Sequence, residues 1–233
     1  MVHVIDRIRG VASDRMHLAL MLILTFSTGI IDAVGYLGLD RVFTGNMTGN
    51  VVILGMGLMG ADGLPVLGPV VALGGFMAGA AVAGRALRGR GGWSSRSTAL
   101  LGVVGGVMAA LAQTVLLVPE LPHVLAVSVT CVLGAVMGLQ AAVARVIAVK
   151  DVTTVVVTST ITGLAADSVL GSGAARAAGS GSGRRFLAVV LILAGAGAGA
   201  LLLRIDLAAG LAASAFVTLA VAAVGAVHER HHR

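Results

Sequence analysis

Apolar residues run through this chain in long blocks, and the breaks between blocks are short and rich in glycine, arginine or threonine. A helix that spans a bilayer needs about 20 mostly apolar residues. Six blocks meet that length, at roughly 17–39, 64–87, 97–118, 122–144, 186–203 and 207–227. Two shorter segments, 42–60 and 152–171, are also apolar. They carry Thr, Gly and Asn or Ser where a spanning helix would carry Leu and Val. The pattern predicts six spanning helices and two broken ones.

Composition turns that pattern into a fold class. Of 233 residues, 58% are hydrophobic and 11% charged, with 34 glycines on top, and mean hydropathy is +1.02. Soluble domains carry roughly 25% charged residues, so water is excluded as the main solvent. The expectation is an all-α polytopic membrane protein, with residues 1–233 forming a single transmembrane domain. A single cysteine, Cys131, excludes an internal disulfide and a thiolate metal cluster. Aromatics make up 3% of the chain, too few for base-stacking platforms. The net charge of +6 comes from basic residues between apolar blocks, which fits orientation in a bilayer and not nucleic-acid binding.

The basic residues also test whether the short segments cross. With six spans and a cytoplasmic N-terminus, Arg7, Arg9, Arg15, Arg85, Arg88, Arg90, Arg96, Arg145, Lys150, Arg176, Arg184, Arg185, Arg230 and Arg233 fall inside. Only Arg41 and Arg204 fall outside, 14 against 2. If both short segments cross, the count becomes 8 against 8. The positive-inside rule favours six spans, so each short segment enters and leaves on one side. Both termini are then cytoplasmic, in the inner membrane of a bacterium. The first apolar block is too long for a signal-peptide core and is followed by no small-residue cleavage site, so it reads as a retained span.

The short segments share a pattern. Thr44-Gly45-Asn46-Met47-Thr48-Gly49 and Thr158-Ser159-Thr160-Ile161-Thr162-Gly163 both fit T-x-x-x-T-G, and each follows a span with a polar residue before Ala, Asp32-Ala33 or Gln140-Ala141. Each half, about 17–118 and 122–227, reads as span, broken segment, span, span. Three crossings per half put the second half upside down. Inverted repeats with broken helices at matching positions point to a transport site near the bilayer midplane.

The runs around Gly29–Asp32–Gly35, Phe43-Thr-Gly-Asn-Met-Thr-Gly-Asn50-Val51 and Asp151–Asp167 resemble the YoaK family of bacterial inner-membrane proteins, over about 16–227 of the chain. The resemblance implies six transmembrane segments and a conserved domain of unknown function. It supplies no catalytic or binding residues.

The polar residues of the broken segments are the candidate substrate-binding set: Asp32, Thr44, Asn46, Thr48, Asn50, Gln140, Thr158 and Thr162. Gly45 and Gly49 let the backbone turn. Thr48 or Asn50 is a candidate cap for a half-helix through 51–59, whose N–H groups and positive dipole end would face an anion or polar solute. The same side chains have a second reading, in which they only satisfy their own turn. Thr154, Thr158 and Thr162 form a hydroxyl stripe if helical, with bonding to carbonyls four residues back as the plainer alternative. Asp32 sits inside a span with no basic residue within one turn, where an ionised carboxylate costs a few kcal/mol or more. It is either protonated much of the time or facing a wet cavity, where it would couple proton movement to transport, or else a neutral Asp bonded to a neighbouring helix. Asp167 is a weaker candidate at the cytoplasmic interface, and Asp62 is expected on the outer surface.

Gly75-x-x-x-Gly79 and Gly134-x-x-x-Gly138 are small-xxx-small pairs that let helices approach closely. Gly195, Gly197 and Gly199 serve packing or face a second copy in a homodimer. His228, His231 and His232 read as a solvated terminal cluster, and His123 as an interfacial residue. The loops at 89–96 and 171–185 read as flexible, with arginines available to anionic lipid headgroups. Partners are therefore membrane lipids, a small polar or anionic solute and a second copy; no cofactor or metal is implied. The leading expectation is a secondary transporter or channel for such a solute. The alternative is a structural or regulatory membrane subunit. No H-E-x-x-H, D-D-x-x-D, G-x-S-x-G or Walker motif occurs, so an enzyme is not expected.

Overall fold

The structure, a computed structural model, describes residues 11–61, 63–118, 120–147, 149, 157–168, 171–172 and 181–231. In chain order its helices are α1 (Ser13–Gly38), α2 (Met47–Leu58), α3 (Leu67–Ala86), α4 (Ser95–Leu117), α5 (His123–Ile147), α6 (Val157–Ala166), α7 (Gly181–Leu202) and α8 (Leu207–His231). The fold is all-helical among the described residues. Among the described residues six helices are long and apolar enough to cross a membrane, and α2 and α6 are shorter. At 1.5 Å per residue, α2 and α6 reach only about 18 and 15 Å, against a hydrocarbon core of about 30 Å.

Element boundaries follow local caps. Ser94 accepts a bond from the N–H of Ser97 and starts α4, and Asp206 accepts from Ala209 at the start of α8. α1 begins at Ser13, four residues before the apolar block, with Asp14 in its first turn, where an acid suits the positive helix end.

Contacts at the two ends of the bundle fix its topology. At one end the His17 ring stacks on Trp93, with centroids 5.8 Å apart, and meets His228 edge-on. The N–H of Gly92 donates to the Val146 carbonyl. The start of α1, the α3–α4 loop, the end of α5 and the end of α8 therefore lie together. At the other end Gly38 abuts Leu203 and Leu207, and Gly38, Val118, Leu121 and Asp206 line one pocket. Gly68, at the start of α3, lies against Val42 and Asp40, just beyond the end of α1. So α2 returns to the end that α1 reached. Arg185, at the start of α7, pairs with Asp167 after α6, which brings α6 back to the end where α5 finished. Arg15, Arg85, Arg88, Arg90, Arg96, Arg145, Arg184, Arg185 and Arg230 fall at the first end, and Arg41 and Arg204 at the second. Arg41 takes a left-handed φ of 49° where the chain turns back into the bundle.

Three seams carry most of the packing, α3 on α5, α4 on α8 and α1 on α7. The first and the last are built on glycine. A methyl at Gly79 would overlap the Ala135 carbonyl, and one at Gly138 the Phe76 carbonyl. On the other seam, a methyl at Gly195 would overlap the Phe26 carbonyl, and one at Gly199 would meet Ile30. Gly195 and Gly199 are thus used inside the chain and are not free to face a second copy; Gly197 has open space. α4 packs on α8, and a buried hydroxyl group joins α1 to α8, with Ser27 Oγ 2.7 Å from Ser214 Oγ and 3.3 Å from Thr218 Oγ1. Exchanging α1–α4 for α5–α8 turns the α3–α5 seam into the α1–α7 seam. It turns α2–α3 into α6–α7 and α1–α8 into α4–α5, and leaves α4–α8 unchanged.

The loop at 89–96 is tied down, contrary to the sequence expectation. Arg96 Nη1 donates to the Ala86 carbonyl at 2.8 Å, so this guanidinium is engaged by the chain itself. Trp93 Nε1 donates to Thr98 Oγ1. Gly89 and Gly92 supply the positive φ values the loop needs, 71° and 68°.

Candidate functional site

The chain leaves α1, turns through 39–46 and starts α2 with Asn46 as its cap. Asn46 Oδ1 accepts from the N–H of Gly49 at 3.2 Å. This corrects the expectation of a cap at Thr48 or Asn50: the helix begins at Met47, and Asn50 has another task. Asn50 Oδ1 accepts from the Phe43 N–H at 2.9 Å, and its Nδ2 donates to the Phe43 carbonyl at 2.5 Å. Asn50 is 1% exposed and braces both sides of one residue across the turn. Thr44 is fully buried as well, with its hydroxyl directed at the Ile31 carbonyl.

Asp32 closes the turn from α1. Its Oδ1 accepts from three successive backbone N–H groups, those of Thr44 (3.1 Å), Gly45 (2.7 Å) and Asn46 (3.3 Å). Backbone donors just ahead of a helix form an anion-binding cradle, and here the chain's own carboxyl fills it. The sequence expectation offered a solute the N–H groups of a half-helix through 51–59; in the structure the helix begins at Met47, and the N–H groups just ahead of it are taken by Asp32 on the preceding span. Gly45 fits beneath because a methyl there would lie 3.1–3.3 Å from Thr28, Met137 and Asp32.

Asp32 Oδ2 makes no hydrogen bond to the described residues. Asp32 lines a cavity of about 780 Å³ together with Thr28, Tyr36, Asn46, Thr48 and Thr158; its walls include Phe43, Val52, Ile53 and Ile192. Thus α1, α2, the first described turn of α6 and α7 each contribute. Of the eight sequence candidates, Asp32, Asn46, Thr48 and Thr158 share this cavity. Thr44 and Asn50 do not, because the turn itself uses them. Thr162 is exposed away from it, and on α6 Thr160 is the buried hydroxyl, at 8%. Thr154, Asp62 and His232 lie outside the described residues. Asp167 stands apart from the cavity in its ion pair with Arg185, at 2.6 Å.

Gln140 is buried behind the cavity, 1% exposed, and its Nε2 donates to Thr28 Oγ1 at 3.2 Å. Thr28 in turn donates to the Leu24 carbonyl. Gln140 Oε1 is buried with no partner among the described residues.

Sequence reasoning missed Thr28, Tyr36 and Phe43. Tyr36 and Phe43 stack with centroids 4.8 Å apart. Their rarity was the available signal: Tyr36 is the sole tyrosine and Phe43 one of five phenylalanines. At the first end, His228 is 3% exposed and close to Ser13 and His17, not solvated. It lines a second cavity of about 410 Å³ with Arg90, Trp93 and Glu229.

Comparison with known proteins agrees with the architecture. Residues 20–224 match the family described as "Protein of unknown function (DUF1275)". The UPF0700 transmembrane protein YoaK of Bacillus subtilis (strain 168) is 32% identical over 155 residues, which are 64% of this chain and 65% of YoaK. The match therefore spans just under two thirds of that relative's length. No solved structure matches the chain. The chain belongs to the DUF1275 family and is a multi-pass membrane protein.

Proposed function

We propose that this DUF1275 member is a secondary transporter or channel for a small polar solute, held in the cavity between α1, α2, α6 and α7. The observation that carries the reading is that both T-x-x-x-T-G segments contribute to one cavity, through Asn46, Thr48 and Thr158, with the Asp32 carboxyl in its wall. The halves' interchangeable packing supports an inverted repeat. In such repeats, broken helices meet at the solute site and one half rocks against the other to alternate access. The basic residues gathered at one end support cytoplasmic termini in a bacterial inner membrane. In this reading the chain is no enzyme, since the cavity's chemistry is one of holding and releasing.

The test is flux. Proteoliposomes carrying the full chain are loaded with a mixed panel of labelled cations, neutral metabolites and anions, and release is followed with and without protein. Protein-dependent release of one class, reduced at least tenfold by Thr48→Val with Thr158→Val, is the expected result. A folded protein that releases no member of any class overturns the reading. Cysteines placed at Arg90 and Arg204 test orientation in whole cells: only the second should react with an impermeant thiol reagent.

A further inference from the structure

We propose that the cavity selects a small organic cation, an ammonium group on a compact apolar body, and excludes anions. The inference rests on the transport reading for its consequence, but the site itself stands on geometry.

The two oxygens of Asp32 have different surroundings. Oδ1 is fully engaged by the N–H groups of Thr44, Gly45 and Asn46. That leaves Oδ2 as the oxygen of a cavity-lining carboxyl that has no partner among the described residues. A carboxylate needs a counter-charge or donors at low dielectric, and no Lys, Arg or His among the described residues lines this cavity. Arg185, on α7, is already paired with Asp167. The three backbone N–H groups just ahead of α2, those of Thr44, Gly45 and Asn46, are taken by Asp32 itself. An incoming anion would meet the Asp32 carboxyl among the hydroxyls of Thr28, Tyr36, Thr48 and Thr158. An incoming cation would complete the ion pair that the chain leaves open.

The other walls fit the remainder of such a solute. Tyr36 and Phe43 stack as one aromatic unit on the cavity, and aromatic faces attract cations through their quadrupole. Phe43 is held in place because Asn50 bonds both its N–H and its carbonyl. Val52, Ile53 and Ile192 offer apolar contact, and Thr48 and Thr158 offer hydroxyl oxygens. A volume near 780 Å³ suits a ligand of this size.

The test uses a probe whose charge cannot be lost. Binding of benzyltrimethylammonium to the full chain in lipid nanodiscs is compared with neopentylbenzene, its uncharged isostere, and with benzenesulfonate. The expected order is cation at least tenfold tighter than the isostere, with no sulfonate binding. Asp32→Asn keeps an Oδ1 acceptor for the three N–H groups, so the turn persists, and should weaken the cation at least tenfold while leaving the isostere unchanged. Tyr36→Leu lies outside the hydrogen-bonded turn and should weaken the cation severalfold. Equal binding of cation and isostere, sulfonate binding, or an Asp32→Asn protein of unchanged melting temperature and unchanged cation affinity each overturns the inference. Flux assays on the same preparations separate the two claims. Cation binding without any flux overturns the transport reading and leaves the site. Flux of another class without cation binding overturns the site and leaves transport.

Discussion

The two halves of the molecule place related segments in related positions and wire them differently. In the first half Asp32 reaches across the turn to three backbone N–H groups ahead of α2 and keeps one oxygen on the cavity. In the second half Gln140 stands in the corresponding place on α5. It bonds across to Thr28 of the first half and leaves Oε1 unpartnered among the described residues. The glycines that close the two motifs, both inside helices, differ in the same way. A methyl at Gly49 would strike the Phe43 ring at 2.7 Å, a ring fixed by Asn50 and Tyr36. A methyl at Gly163 would meet the Arg185 guanidinium, the far end of a long side chain. One architecture thus carries a charged, tightly braced segment and a neutral, looser one. The packing frame is shared, and the chemistry is concentrated on one side of it.

Breaking the charged side should cost most. Asp32→Ala strips the acceptor from three N–H groups at once, and an unsatisfied buried donor costs about 1–3 kcal/mol. The expected loss is about 3 kcal/mol or more, read as a large fall in melting temperature of the protein in detergent. Asp32→Asn should stay within about 1 kcal/mol of wild type; equal losses for the two variants would show that the hydrogen-bonded turn is not what Asp32 supports. Asn50→Ala, which frees the N–H and carbonyl of Phe43, should cost about 2 kcal/mol. In the second segment Thr162→Ala, on an exposed site, should fall within about 0.5 kcal/mol, and parity between the two variants would erase the asymmetry at the level of side chains.

Smaller effects sharpen the same contrast. Gly49→Ala should destabilise by about 1–2 kcal/mol because the Phe43 ring cannot move aside. Gly163→Ala should change stability by a few tenths, since Arg185 can shift; chemical denaturation of both variants reads the difference. The mildest expectation is Gln140→Leu. It removes one interhelical hydrogen bond, worth about 0.6 kcal/mol in membrane proteins, together with a buried acceptor that lacks a partner. A net change below about 1 kcal/mol is expected, and a collapse of the fold would show that Oε1 has an essential partner.

Much of the fold was legible because bilayer solvation acts on local composition. Blocks of about 20 apolar residues specify spans wherever they occur, and all six appear as helices within a few residues of their predicted limits. The small-xxx-small pairs at Gly75, Gly79, Gly134 and Gly138 pointed correctly to close packing, because only a missing Cβ allows such an approach. The site was half legible. Polar residues in an apolar chain announced themselves, yet their type said nothing about whether they face the cavity or the turn. Asn46 and Asn50 are identical in kind and four residues apart. One caps α2 on the cavity wall, and the other is buried against Phe43.

The sequence alone therefore determined the solvent, the number of spans and the two segments too short and too polar to be spans, because each is a property of consecutive residues. Tertiary structure decided what the polar groups do. The partner of the N–H groups at Thr44–Asn46 is Asp32 on the preceding helix, and the partner of Gln140 is Thr28, 112 residues away. A hydrogen bond is made by atoms a few ångströms apart whatever their separation in the chain, so only the packed bundle could say which donors were satisfied and which oxygen was left facing the cavity.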